Sequence, residues 1–267
     1  MTKTWLTVDC DDFRHIPKHQ GHPTRSKKQI DSNQLSEQLA AGIVGFEKWF
    51  SSHKSPVTLF VIADSLQNEE FRHWLVRLIS SYPKRITIGC HGLTHRSWSA
   101  WPEDLDGFQT AIIQACEQIK SVVGESFRPW FRAPAGYMAP WMASVLKQSG
   151  IILDSSINDT LLTKSKAGKG NSWANVRHAV AEASLVEREW ATKWGLPING
   201  PALSLFPLSW LAKQAWKKLP KVLQANELSS MVEDSRVSIN TVYWHLLDHG
   251  KLSGEWQPPI PQSILNH

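Results

Sequence analysis

Short apolar runs alternate with amphipathic stretches of helical period along almost the whole chain, and this alternation restricts the fold more than any other feature. The runs Thr4–Val8, Val57–Ile62, Ile86–Cys90, Arg128–Phe131, Ile151–Ser155, Leu185–Glu189 and Asn240–Trp244 read as strands. Between them, Asn33–Ser52 carries Leu35, Leu39, Ile43, Phe46, Trp49 and Phe50 at helical spacing. Asn68 suits the N-cap of a helix through Ser81, with Pro83 as a stop. A helix over Glu103–Val123 follows Pro102 and meets Gly124 at its C-terminal end, and Met138–Ser149 ends before Gly150. Strand–helix alternation predicts a parallel sheet with helices outside, and seven units predict a distorted (β/α) barrel of about seven parallel strands. Thr163–Asn175, rich in Lys, Gly and Ser, reads as an exposed loop, and Trp194–Pro207, with three prolines and two glycines, as a second irregular segment. No repeat or boundary interrupts the pattern, so residues 1–267 are expected to form a single domain.

Composition narrows the function. The 267 residues are 42% hydrophobic and 20% charged, which suits a soluble globular protein. No apolar run approaches the roughly 20 residues of a membrane span. The apolar stretch at the N-terminus is too short for a signal peptide, so a cytoplasmic location is expected, with the inner membrane surface as an option. Three cysteines, Cys10, Cys90 and Cys116, argue against a disulfide framework. The net charge of +5 suits an anionic substrate or membrane surface but equally describes ordinary surface charge. No aromatic-interleaved basic stripe marks a nucleic-acid partner. Fourteen tryptophans serve a sugar site or a core equally well.

Polar clusters fall at the C-terminal ends of five predicted strands, the rim where parallel α/β barrels build their active sites. Asp9-Cys10-Asp11-Asp12 closes the first strand. Its three carboxylates repel one another unless a cation or an arginine compensates them. His91-Gly92-Leu93-Thr94-His95 follows the third strand, and two histidines four apart can face one metal ion. Two histidines and a carboxylate form a common hydrolytic metal site with positions left for water and substrate. Arg132-Ala133-Pro134-Ala135-Gly136-Tyr137 follows the fourth strand, bringing an arginine that can orient a carboxylate and a turn whose N–H groups can face an oxyanion. Asp154 ends the fifth strand. His245 ends the last and can protonate a leaving amine, with His249 one helical turn on as its rival.

In this order the clusters resemble the polysaccharide deacetylase superfamily, the NodB-homology group also called carbohydrate esterase family 4, over residues 5 to 249. The resemblance implies a distorted (β/α) barrel and a metal-dependent hydrolase that removes an N-acetyl or N-formyl group from a sugar. It implies Asp9 as catalytic base, Asp11, His91 and His95 as metal ligands, and Arg132 as the arginine that orients the base, supported by Asp154. It further implies the Ala135 amide as oxyanion donor and His245 as general acid. Tyr137 and Trp244 are expected at the substrate pocket. The metal is expected to be Zn²⁺, with Co²⁺, Ni²⁺ or Fe²⁺ as alternatives.

Three features depart from the family pattern. A residue separates the aspartates, Thr7-Val8-Asp9-Cys10-Asp11-Asp12, leaving Asp11 or Asp12 as ligand. Gly92 stands where Ser or Thr is usual, and Ala135 replaces an aromatic. The chain is most similar to the WbmS-type branch associated with lipopolysaccharide O-antigen gene clusters, which implies a nucleotide- or lipid-linked N-acylated sugar. A metal-dependent amidase on a non-sugar amide and an inactive sugar-binding protein are the other readings; retention of the ligand set argues against the last. The oligomeric state is not encoded legibly.

Leu205–Leu219 reads as a helix ended by Pro220. Its stripe Leu208, Leu211, Ala215 and Leu219 packs on the barrel, while Trp210, Trp216 and Lys213, Lys217 and Lys218 flank it. Those flanks suit weak contact with a membrane surface.

Overall fold

The computed structural model describes residues 2–30 and 33–266. Strands β1 (Lys3–Asp9), β2 (Val57–Val61), β3 (Ile86–Cys90), β4 (Phe127–Phe131), β5 (Leu153–Asp154) and β6 (Val186–Glu187) precede a two-stranded hairpin, β7 (Thr192–Lys193) and β8 (Leu196–Pro197), and a last strand, β9 (Ile239–His245). Seven of them form one parallel sheet in the order β6-β5-β4-β3-β2-β1-β9. The sheet curls into a distorted half-barrel with helices outside, as the alternation predicts. Its open side is spanned where Trp190, just past β6, bridges Thr241 of β9, and the Ala191 N–H donates to the Thr241 carbonyl at 2.8 Å.

The helices are α1 (Glu37–Ser51), α2 (Glu69–Ser81), α3 (Leu105–Val123), α4 (Pro140–Gln148), α5 (Trp173–Glu182), α6 (Leu208–Trp216) and the short α7 (Leu228–Val232). Local chemistry sets their ends. Asn68 caps α2, its Oδ1 accepting from the Phe71 N–H at 2.8 Å. Gly124, with φ of 54°, stops α3 as expected. Helix α1 begins later than the apolar spacing suggests, because the Ser36 hydroxyl caps it at the Leu39 N–H. Two elements escape the sequence reading. Helix α5 begins inside the segment read as loop, started by a Ser172 cap, and α7 is too short for a periodic signal. The segment before α5 is also less exposed than expected: Thr163 and Ala167 are buried.

Side chains of β1 alternate between two environments, as strand geometry requires. Leu6 and Val8 join Leu59, Val61, Ile88, Phe131 and Trp244 in the layer beneath the helices. Trp5 points the other way, into an interior cluster with Phe60, Trp130 and Leu153. The Trp5 ring meets Phe60 and Trp130 edge-on, at 6.0 and 5.5 Å between centroids, and its Nε1–H donates to the Thr58 hydroxyl at 2.9 Å. Truncating such a buried aromatic typically costs about 3–5 kcal/mol. This plug fills the interior, so polar residues on the same face, beyond it, converge at the strands' C-terminal ends.

Helix α6 is shorter than the predicted Leu205–Leu219 and turned by about one position. Its buried residues are Leu211, Ala212 and Trp216, with the Trp216 Nε1–H donating to the Ile198 carbonyl at 2.8 Å. Trp216 therefore packs inward rather than on the flank, while Trp210 stays exposed.

Candidate active site

Register brings the polar strand ends together. Asp9 of β1 pairs with His245 of β9, and the Arg132 N–H donates to the Cys90 carbonyl, which places Arg132 beside His91. Asp11, His91 and His95 each offer a ligand atom within 4.8 Å of the others, and all three are buried. The His91 Nδ1 lies 2.8 Å from the Arg132 carbonyl, so this nitrogen carries the proton and Nε2 keeps its lone pair. Burial lowers the pKa of His91 against the pull of Asp9 and Asp11. Burial, then the neighbouring His91, His15 and His245, holds His95 well below the usual imidazole range. Both rings are therefore neutral at neutral pH, the form that binds a metal ion. The Asp11 Oδ1 is buried without a hydrogen-bond partner. An orphaned buried carboxylate oxygen is costly unless a cation compensates it. The donor set therefore fits one divalent cation with open positions for water and substrate.

The choice between the adjacent aspartates follows from local bonding. Asp12 is spent on structure: its Oδ1 accepts from the Phe13 N–H and the Ser36 hydroxyl, both at 2.5 Å, and its Oδ2 from the Ser36 N–H at 2.9 Å. It tethers the start of α1, while Asp11 turns into the cavity. Gly92 has an equally local reason. It adopts φ of 91°, and a Cβ there would lie 2.9 Å from the Thr94 carbonyl oxygen, so the turn between the histidines excludes the Ser or Thr common elsewhere.

The Asp9 Oδ1 accepts from Arg132 Nη1 at 2.7 Å. Arg132 is fully buried and lies over the Phe60 ring at 4.2 Å. Its Nε donates to the Ser155 carbonyl at 3.1 Å and its Nη2 to the Ser155 hydroxyl at 3.0 Å. The support expected from Asp154 thus comes from its neighbour. Leu153 faces the interior plug, so Asp154 faces the other side and Ser155 returns to Arg132. Asp154 acts at one remove. It accepts from the Ser156 hydroxyl at 2.5 Å, and that hydroxyl accepts from the Ala133 N–H at 2.7 Å. Burial raises the pKa of Asp154, and burial with the adjacent Asp154 raises that of Glu187 well above the usual carboxylate range.

His245 lines the cavity and His249 does not. His249 is fully buried among Phe46, Trp49, Trp244 and Trp256, its Nε2 accepting from Trp244 Nε1–H at 2.9 Å. Trp244 belongs to that outer layer and does not reach the substrate cavity, contrary to the sequence expectation, because its inward-facing neighbours are Tyr243 and His245. His245 Nδ1 stands 3.4 Å from Asp248 Oδ2. Burial opposes its charge, but Asp11 and Asp248 outweigh burial and push its pKa up to about 9. Its partner Asp248 is held well below the usual carboxylate range despite burial, by His245 and by Lys251 at 2.5 Å.

Ala135 reaches the cavity wall in a left-handed conformation, φ 52°, a strained state for alanine that is typical of functional turns. Its carbonyl accepts from Lys166 Nζ at 2.6 Å. Tyr137 sits behind this wall, its hydroxyl 3.2 Å from His22 Nε2. Ser155, Asp248, Lys166 and Tyr243 were missed by the sequence reading. Ser155 and Tyr243 were detectable from strand alternation alone, since they share the inward face of Leu153 and His245.

Asp9, Asp11, His91, His95, Ala135, Lys166, Tyr243, His245 and Asp248 line a cavity of about 430 Å³ that also meets Arg25, Asn158, Leu162, Leu205 and Lys251. A larger, open hollow of about 860 Å³ lies at the opposite end, beside Ile86, Thr87 and Arg128. Among the described residues it is lined by no histidine and by one carboxylate, Glu125, whereas the smaller cavity gathers the histidines and aspartates.

Residues 46–152 match a family model described as polysaccharide deacetylase. Solved structures share the fold. One is described as a polysaccharide deacetylase from Mycobacterium smegmatis, with 18% identity, 94% of this chain and 79% of that chain covered, and a TM-score of 0.54. Another is so described from Pseudomonas aeruginosa PAO1, with 14% identity, 92% and 73% coverage and a TM-score of 0.54. PuuE allantoinase has the same fold at 12% identity, 92% and 72% coverage and a TM-score of 0.54. No curated protein matches the sequence. Among the described residues, no helix is long and apolar enough to cross a membrane.

Proposed function

We propose that the protein is a divalent-metal-dependent hydrolase that removes an N-acetyl or N-formyl group from an amino sugar or sugar conjugate. The observation that carries this reading is the convergence, in one cavity, of a buried carboxylate–imidazole triad with two separately paired proton carriers. Asp11, His91 and His95 would hold the ion, with Zn²⁺ the first choice for this donor set. When bound, such an ion polarises a carbonyl and lowers the pKa of water, in the best zinc sites to about 7.

The remaining work falls to side chains. Arg132 fixes Asp9 through one oxygen, leaving the other to take a proton from the attacking water. The Ala135 amide faces the developing oxyanion, a donor type that typically contributes about 3 kcal/mol of barrier reduction. His245, paired with Asp248, delivers a proton to the departing amine, so the products are a free amino sugar and a carboxylic acid. The reading extends to a role in surface-polysaccharide or O-antigen assembly, on a nucleotide- or lipid-linked sugar, and this extension rests on the motif resemblance alone. Incubating purified protein with a panel of N-acetylated and N-formylated sugars, and analysing products by mass spectrometry, tests the reading. Release of acetate or formate with a new free amine supports it, and intact sugars at every metal loading contradict it.

A further inference from the structure

Large apolar side chains crowd one side of the cavity mouth. Leu162 and Leu205 line the cavity and are themselves exposed. Next to Leu205, Phe206 is 87% and Trp210 63% exposed, and near Leu162 lies Trp194 at 77%. The two groups are joined: α6 packs on the β7–β8 hairpin, and the Leu161 N–H donates to the Gly195 carbonyl at 3.0 Å. Apolar side chains this exposed and this contiguous mark an interaction surface rather than an ordinary exterior.

Charge indicates what covers it. Residues 190–226 hold five lysines and no aspartate or glutamate. On α6, Lys213 and Lys217 follow Trp210 on the same exposed face, and Lys193 Nζ stands 5.1 Å from the Trp194 ring. Exposed aromatics among lysines, without acids, complement the interface of an anionic bilayer. Inside the mouth, Arg25 and Lys166 share the cavity wall, and neither makes an ion pair among the described residues. Burial, then the Arg25 charge, lowers Lys166 to about 8, so the two cations are close enough to repel. A bound phosphate relieves that repulsion and is recognised well by such a pair.

We propose that the cavity takes its sugar from the surface of an anionic bilayer, as a conjugate joined through phosphate to a hydrocarbon chain. Arg25 and Lys166 hold the phosphate, and Leu162, Leu205 and the aromatic rim hold the chain. The identity of the substrate rests on the hydrolase reading above; the docking of the rim does not.

The test separates the two. Flotation with vesicles of phosphatidylglycerol and phosphatidylethanolamine reads docking without turnover. The protein should float with them and not with phosphatidylcholine alone, and high salt should weaken the binding. The double variant Phe206→Ser/Trp210→Ser should float about tenfold less, while its circular dichroism spectrum stays that of the wild type. Failure to float, or equal flotation of the variant, overturns the docking. A dimer that the same substitutions dissolve also overturns it, since the rim would then belong to a second copy. In a second arm, Arg25→Ala should raise KM about tenfold for phosphate-carrying sugars and leave plain sugars unaffected. Vesicle-borne lipid-linked substrate should be preferred over a nucleotide-linked one, and the rim variant should lose that preference. Equal loss on both sugar types, or preference for the nucleotide-linked substrate, overturns the substrate assignment. Absence of any hydrolysis alongside normal flotation would count against the hydrolase reading alone.

Discussion

Arg132 and Asp9, 123 positions apart in sequence, meet in a buried ion pair of 2.7 Å at the floor of the cavity. The guanidinium is held from behind by Ser155 and from below by the Phe60 ring, so the carboxylate is oriented by a group that is itself held on two sides. The pairing separates two roles that neighbouring aspartates would otherwise share. Asp9 is paired with arginine through one oxygen, while Asp11 has a buried oxygen without a hydrogen-bond partner.

Replacing Asp9 with Asn keeps the shape and removes the base. Turnover should fall by about 10²- to 10⁴-fold, the usual contribution of a positioned base, while metal content stays at the wild-type level. Steady-state kinetics with elemental analysis checks both. Undiminished turnover would eliminate Asp9 as the base.

Arg132→Met should destabilise the fold as well as the site. It leaves Asp9 buried without its partner and frees two acceptors on Ser155. Breaking a buried pair from one side typically costs about 3–5 kcal/mol. Denaturant unfolding at neutral pH measures the loss, and a change below about 1 kcal/mol would show that solvent or another cation replaces the guanidinium.

His245, held between Asp11 and Asp248, gives the metal-free protein a pH-dependent stability. The folded-state pKa of His245 is raised from 6.5 to about 9. The folded state therefore binds this proton more tightly than the unfolded one. Its contribution is fully present below pH 6.5 and is lost as the pH rises through about 9. Asp248, shifted down, contributes in the opposite range: its share is present above the ordinary carboxylate pKa and is lost in strong acid. Unfolding free energy should thus decline between pH 6.5 and 9 in the wild type, and His245→Gln should flatten that decline. A decline of equal slope in both proteins would assign it to other groups.

Gly92→Ala should cost about 1–3 kcal/mol, because it forces a left-handed turn on alanine and a clash with the Thr94 carbonyl. Thermal unfolding reads the cost. Because the strained turn spaces His91 from His95, metal affinity should fall in the same variant.

Much of this site was visible in the sequence, for reasons that are local. Asp9, Asp11, His91, Arg132, Ala135 and His245 lie at or just beyond strand ends that apolar runs define, and parallel register does the rest. The errors share one cause. Nearness to a strand end suggests Trp244 and Asp154 as site residues, but the direction in which each side chain points decides otherwise. Strand period assigns both to the outer layer, and returns Tyr243 and His245 to the cavity and Ser155 to Arg132 behind it. Lys166 and Arg25 were invisible for a different reason. They sit on irregular segments with no period, and only tertiary packing brings them to the cavity wall. Helix α5 was obscured because its cap, Ser172, lies in a stretch whose Lys, Gly and Ser content signals a loop.

Metal stoichiometry reads the central claim most directly. Dialysis of the purified protein against zinc, followed by elemental analysis, should give one ion per chain, and about none in His91→Ala or Asp11→Ala variants that remain folded by circular dichroism. A full ion per chain in both variants would contradict the assignment of Asp11, His91 and His95 as the ligands.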